Sequence, residues 1–324
     1  MNEDKLISWR KESMKVMKPR EASKELNVLR ALNQRQAYSF EQKQNLLNME
    51  KGFIGERQFD EMGEKYLEQE CVMLQDLSLT IKGNTVQIDS VFLTSEVVYI
   101  FEVKNYEGDF IMKDGDIYTV AGQEISNPLT QLNRTSSLLR QLLQSWQVKM
   151  SIEGYVVLIN PACMLYHATP ADPFIFYGQI QSRLTEINRR QRNEPWGIKK
   201  MKRLAEKLIE EHNKEGRIQI KRPAYTYEEL RKGIACTRCS SFSVQVNQRS
   251  CKCLVCEHSS SLNSAVIRQI EEFILLYPAE LLTTEKIYRW CGQIIPKKRI
   301  RGILSENYTR VGNKSGTTFK KESK

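Results

Sequence analysis

The stretch VQIDSVFLTSEVVYIFEVKNYEG, residues 86–108, is the most constraining part of the chain. Val, Ile, Phe and Tyr recur along it in the manner of two β-strands, and the short TSEV between them reads as a hairpin turn. Pairing Thr94 with Val97 and counting back sets Asp89 opposite Glu102. Opposed residues point to one face with Cβ atoms about 5 Å apart, and the two-residue period of a strand adds Lys104 to that face. Two carboxylates and an ammonium therefore converge among residues that want a core.

Carboxylates held that close repel each other, and neither is cheap to desolvate, so folding separates them unless a cation bridges them. A hard divalent cation such as Mg²⁺ is the natural bridge, held by a few carboxylate oxygens while water and substrate phosphate take its other positions. Lys104 beside it would steady a water nucleophile or offset charge on a pentavalent phosphorus. Taken alone, the hairpin leaves a second reading open, a half-exposed strand face whose Glu–Lys pair is worth under about 1 kcal/mol.

The flanking residues bear on that choice. Gly52, Gly55 and Glu56 in GFIGERQFDE precede the QIDSVFL around Asp89, then come the FEVKNYEG around Glu102 and Lys104 and the NPLTQ that ends at Gln131. In order and spacing, across roughly residues 50–160, this segment resembles the nuclease-related domain family, often written NERD, a branch of the PD-(D/E)xK nuclease superfamily. The resemblance implies an α/β fold, a mixed central sheet flanked by helices, and metal-dependent hydrolysis of phosphodiester bonds. It places Glu56 on the first helix, makes Asp89 and Glu102 ligands of Mg²⁺ or Mn²⁺, and gives Lys104 the part of base or charge stabiliser. Gln131 would face the same site from the following helix. The proline of the superfamily's name is absent, since Ile88 precedes Asp89.

Read without the resemblance, Glu56 is also explained as a first-turn carboxylate favoured by a helix dipole, and Gln131 as a helix-surface residue. Gly52 and Gly55 would let a helix approach the sheet closely. His167 and His212 show no ligand spacing.

The chain's eight cysteines are too sparse for a secreted disulfide scaffold, and five of them fall between 236 and 256. Cys236-x2-Cys239 and Cys253-x2-Cys256, thirteen residues apart, have the spacing of a zinc ribbon in which two knuckles hold a structural, tetrahedral Zn²⁺ and the intervening FSVQV forms a strand. Cys251 and His258 are spare ligands that would let the second pair shift. Beyond the ribbon, an amphipathic helix, a short helix capped by Thr283 or Thr284, a third helix opened by Pro296 and a hairpin around Gly312 and Gly316 suggest a winged-helix-like module. Lys297, Lys298, Arg299 and Arg301 begin its third helix, where they would track DNA phosphates; a helical cap packed on the ribbon is the alternative.

Charge agrees with a polyanion partner. Residues 1–51 hold 11 Lys or Arg against 7 Asp or Glu and residues 296–324 hold 9 against 2, so of a net +10 the middle keeps almost nothing. The most apolar segments fall far short of the about 20 residues a spanning helix needs, which predicts a cytoplasmic protein without a membrane partner. The expected organisation is a helical N-terminal extension over 1–50, a nuclease-like domain over 51–160, a strand and helical connector over 161–232, the ribbon over 233–260 and the basic module over 261–324. Two functions compete: a nuclease, DNA being its expected substrate, and a non-catalytic nucleic-acid-binding or regulatory protein built on a nuclease fold.

Overall fold

The computed structural model describes residues 14–67, 71–190, 195–212, 223–312 and 316–321. The chain divides into two units, residues 1–22 with 48–218 and residues 23–47 with 219–324.

A mixed six-stranded sheet organises the first unit. Side by side its strands are β1 (Met14–Lys18), β2 (Cys71–Ile81), β3 (Asn84–Leu93), β4 (Val97–Lys104), β8 (Ser151–Leu158) and β10 (Phe174–Phe176). The β2–β3 and β3–β4 pairs are antiparallel, whereas β1, β8 and β10 join in parallel. Lys82 and Gly83 both take positive φ, 50° and 76°, as a two-residue type I′ turn between β2 and β3 requires. A second sheet of order β7-β6-β5-β9 holds β5 (Gly108–Lys113), β6 (Asp116–Thr119), β7 (Glu124–Ile125) and β9 (Cys163–Tyr166). β6 lies within the polar stretch KDGDIYTVAGQ, residues 113–123.

Helices cover both faces of the large sheet. On one side α3 (Pro128–Ser145) and α5 (Pro195–Glu211) bury Leu132, Leu139, Leu143, Leu204 and Leu208 against Val91, Val98, Ile100 and Val156. On the other, α2 (Phe40–Tyr66) and α4 (Ile180–Arg190) bury Phe59, Leu184 and Ile187 against Phe92, Phe101 and Val157. Phe59 stacks on Phe92 with ring centroids 5.7 Å apart. Leucines at helical spacing in ELNVLRALNQ and EQKQNLLNM predict two short helices over 25–49, and GERQFDEMGEKYLEQE predicts a third from residue 55. α1 (Lys24–Arg35) is the first of them, and the others are one continuous α2 that runs through Gly52 and Gly55. A Cβ on Gly55 would meet Asn105 at 2.8 Å and Ile159 at 2.9 Å, so this glycine sets the approach of α2 to the ends of β4 and β8, while Gly52 faces open space. The N-terminal extension is not wholly helical either, because β1 adds an edge strand beside β2.

In the second unit, β11 (Val244–Val246), β12 (Ser250–Cys253) and β13 (Ser259–Ser261) form an antiparallel ribbon. The helices α6 (Leu262–Leu276), α7 (Thr284–Trp290) and α8 (Lys297–Asn307) follow, and then the hairpin of β14 (Thr309–Val311) and β15 (Thr318–Lys320). Ser261 and Thr283 cap α6 and α7 by accepting from the amides of Ser264 and Lys286. A bridge between Leu282 and Phe319 adds a third short strand to the hairpin, giving a helix–strand–helix–helix–hairpin order that is winged-helix-like. Arg35, 2% exposed, organises the core of this unit. It pairs with Glu272, donates to Gln269 at 2.6 Å and lies 3.8 Å over the ring of Trp290. Among the described residues no helix is long and apolar enough to cross a membrane.

Candidate functional site

The β3–β4 ladder runs from Leu93–Val98 to Ser90–Phe101 in the register predicted from the turn, so Asp89 and Glu102 come next in line. There the strands part, and the Asp89 carboxylate takes over the ladder by accepting from the Val103 amide at 2.8 Å. Glu102 and Lys104 share the side of β4 that packs under α3, and they form an ion pair at 2.7 Å. Lys104 also donates to Gln131 of α3 at 3.4 Å, so three of the expected residues meet there. Asp89 and Glu102 are 6% and 4% exposed, which removes the reading of a half-exposed strand face.

Glu56 enters from the other helix layer. It lies in the middle of α2, not in a first turn, so a helix dipole does not account for it. One oxygen, Oε2, is held by Arg20 Nη1. Asp60, one turn further along α2, receives Arg20 Nε at 2.7 Å and the Ser90 hydroxyl at 2.7 Å. Arg20 reaches on to the Asp89 carbonyl and to Ser90 Oγ. Arg20, Asp60 and Ser90 were not singled out from the sequence. Asp60 at i+4 from Glu56 was the available signal for one of them; Arg20 offered none.

The electrostatics are those of a site short of positive charge. Burial, and then the Asp89 charge, push the Glu56 carboxyl up to about 8, with Arg20 opposing. Burial and Asp89 likewise push Glu102 up to about 7 against the pull of Lys104. Asp89 is raised by burial, and the Val103 amide only partly offsets that. Burial draws Lys104 down, but the Glu102 carboxylate outweighs it and leaves the ammonium raised. Glu56, Asp60, Asp89 and Glu102 against Arg20 and Lys104 leave two formal negative charges, matched by one divalent cation. The all-oxygen donor set suits a hard ion such as Mg²⁺.

A pH dependence follows for the metal-free protein. Glu56 and Glu102 bind protons more tightly folded than unfolded, so their stabilisation is complete below the unfolded value of 4.5 and is lost as pH climbs towards 8. In EDTA, urea midpoints of the first unit should fall between pH 5 and pH 8.5, and Glu56→Gln should flatten that slope. A rising midpoint would contradict the assignment.

Beside Gln131 a groove of about 630 Å³ opens between β3, β7 and the start of α3, lined by Thr85, Gln87, Asn127, Thr130 and Arg134 among others. Residues 51–159, which carry Glu56, Asp60, Asp89, Ser90, Glu102, Lys104 and Gln131, match the family model described as nuclease-related domain. That segment is a nuclease-related domain. No curated protein and no solved structure matches the chain. The nuclease-related domain therefore begins inside α2, leaving β1 and Arg20 outside the matched segment although both belong to the first unit.

The second unit holds a different cluster. The Sγ atoms of Cys236, Cys239, Cys253 and Cys256 all lie within 4.8 Å of one another, a gathering that no three carboxylates make among the described residues. The Cys236–Cys256 and Cys239–Cys253 separations are 3.7 and 3.5 Å, close to the about 3.8 Å edge of a tetrahedron with 2.3 Å metal–sulfur bonds. The amides of Arg238 and Val255 point at Cys236 and Cys253 sulfurs, at 3.3 and 3.4 Å. The Cys256 amide leads in holding the Cys253 thiol down at about 6, near the thiolate a metal needs. Cys251 lies outside the cluster, and burial raises its thiol. His258 does not join it either; its carbonyl accepts from the Cys253 amide.

On α8, Lys297, Lys298, Arg299 and Arg301 are all exposed. Lys297 is paired with Glu285 at 2.7 Å and Arg299 donates to Asn263 at 2.6 Å. Among the described residues Lys298 and Arg301 have no such partner, so they are the most available of the four.

Proposed function

We propose that the first unit is a divalent-metal-dependent nuclease, with DNA as its substrate, and that the α8 cations hold the phosphate backbone. The observation that carries this reading is the convergence of Asp89, Glu102, Lys104 and Gln131 at one place on a nuclease-related domain, with the two carboxylates buried and short of positive charge. Asp89 and Glu102 would hold Mg²⁺ or Mn²⁺, which when bound neutralises phosphate charge and acidifies a water ligand. Lys104, kept protonated and aimed by Glu102 and Gln131, would offset charge on the phosphoryl oxygens as it grows. Glu56 would help to hold the ion or its water through the oxygen that Arg20 leaves free. The groove beside Gln131, with Arg134 one turn along α3, carries the polar side chains of Thr85, Gln87, Asn127 and Thr130 along its wall, groups that would accept or donate to a strand's backbone. In the second unit the four thiolates would hold a structural Zn²⁺, since a closed tetrahedral sulfur site leaves no open coordination position.

The deciding experiment incubates the purified full chain with single- and double-stranded DNA and RNA, with Mg²⁺, with Mn²⁺ and with EDTA. Metal-dependent shortening of DNA is expected. Tight binding without shortening of any of the four substrates would favour the rival, a nucleic-acid-binding protein on a nuclease fold.

Because Lys297 and Arg299 are already engaged, Lys298→Ala with Arg301→Ala should weaken duplex binding most. The slope of log affinity against log salt should flatten by up to about 0.9 for each phosphate that the variant no longer neutralises. Cleavage at saturating DNA should survive. An unchanged slope in the double variant would remove α8 from the interface.

A further inference from the structure

We infer that Arg20, outside the nuclease-related domain, is the residue that positions Glu56 beside Asp89, so that the N-terminal segment completes the metal-binding site. The inference rests on the reading of that carboxylate cluster as a metal site. It deepens that reading by assigning the cluster a component contributed from 31 residues before the matched segment begins.

The side chain of Arg20 is 2% exposed. Its guanidinium spreads over four groups: Nη1 to Glu56 Oε2, Nε to Asp60 Oδ2, and Nη2 to both the Asp89 carbonyl and Ser90 Oγ. The backbone that carries it is fixed as well. The Arg20 amide donates to Gln75 Oε1 at 2.6 Å, and Lys18 donates to the carbonyls of Gln75 and Asp76 at 2.7 and 2.6 Å. These hydrogen bonds continue the parallel pairing of β1 with β2. A buried fork anchored at this many points holds its partners in one geometry.

Glu56 needs such a partner. With Asp60 at i+4 on the same face of α2, two carboxylates would be left side by side under the sheet and would repel. Asp60 has Ser90 as a second anchor, whereas Glu56 Oε2 is held by Arg20 alone among the described residues. The fork thus fixes one Glu56 oxygen and leaves Oε1 for the metal or its water. The same guanidinium grips the Asp89 carbonyl, so it ties α2 to the strand position that supplies a metal ligand. Lysine keeps the charge but, as a single point donor, cannot make this fork.

Arg20→Lys therefore separates positioning from charge. Mn²⁺ binding to the full chain would be measured by calorimetry for wild type, Arg20→Lys, Glu56→Gln and the double variant, with thermal melts to show that each is folded. Arg20→Lys should weaken Mn²⁺ about tenfold, in the range of other residues that orient metal ligands. Glu56→Gln should weaken it by a similar factor, and the double variant should match the weaker single within about twofold, because Arg20 acts through Glu56. Should Arg20→Lys not fold, Arg20→Gln replaces it in the cycle: losing a positive charge alone would tighten Mn²⁺, so weaker binding there still reports lost positioning, and unchanged or tighter binding counts against it. Wild-type Mn²⁺ affinity in the folded Arg20 variant, or effects that multiply in the double, would overturn the inference. Cleavage followed in parallel separates the two claims. Protein that binds Mn²⁺ with the expected coupling but cuts no nucleic acid removes the nuclease reading and upholds the role of Arg20. Protein that cuts, with Mn²⁺ affinity indifferent to Arg20, does the reverse.

Discussion

Glu102→Ala is expected to lower metal-dependent cleavage by at least about a hundredfold while leaving nucleic-acid affinity within about twofold of wild type. Glu102 does two things that alanine cannot. It is one of the two buried carboxylates that would hold the cation, and it is the ion-pair partner that keeps the Lys104 ammonium in place at 2.7 Å. Losing it leaves the half-buried Lys104 beside a cavity with only Gln131 at 3.4 Å to orient it. Lys104→Ala should cost a similar factor with a different signature, because the carboxylates keep their oxygens. Its Mn²⁺ affinity should hold or improve as a competing positive charge is removed, whereas Glu102→Ala should lose Mn²⁺ affinity. Both variants should bind DNA through the second unit as before. Cleavage that persists at the wild-type rate in purified Glu102→Ala would sink the nuclease assignment, and equal Mn²⁺ affinities in the two variants would sink this division of labour.

The parts of this site that could be read from the sequence are those set by short-range rules. The Asp89–Glu102 register follows from a four-residue turn and from strand alternation, and the predicted pairing is the one observed up to the point where the strands part. The cysteine cluster is similarly local, since two CxxC knuckles and one short strand suffice to gather four sulfurs. Arg20 could not be found this way. Its partners lie 36 to 70 residues away, and nothing in KVMKPREAS distinguishes it from other basic residues of a polar leader. β1 was missed for the same reason, because a five-residue parallel edge strand has no turn to announce it and takes its register from β2, 57 residues on. α2 was split because glycine is a poor helix former, costing about 1 kcal/mol against alanine. Tertiary packing overrode that preference at Gly55, where only a missing Cβ lets the helix reach Asn105 and Ile159.

The second large effect concerns the thiolate cluster. Cys236→Ser should abolish stoichiometric Zn²⁺ binding and unfold the ribbon, while the first unit keeps its melting transition. The ribbon has little else to hold it. Val244 and Val246 of β11 are only partly buried, β13 is three serines, and Leu254 and Val255 beside the second knuckle are exposed. Metal binding is then nearly the whole folding free energy of this element, of the order of 10 kcal/mol for comparable small sites. The helices that follow are not in that position. α6, α7 and α8 bury Phe273, Ile287, Trp290, Ile300 and Leu304 in a core of their own, with Arg35 and Glu272 paired inside it. The ribbon is joined to that core by Arg268, which donates to the Cys236 carbonyl at 3.2 Å, and by the Phe242 ring, 5.2 Å from the Arg35 guanidinium. Hydrogen exchange of Cys236→Ser should therefore show protection abolished over residues 236–261 and retained, somewhat weakened, over 262–307. Cys251→Ser, outside the cluster, should keep the metal. Full Zn²⁺ occupancy in Cys236→Ser, or its absence in Cys251→Ser, would overturn the ligand assignment, and loss of protection throughout 236–307 would show that the helices depend on the ribbon for their fold.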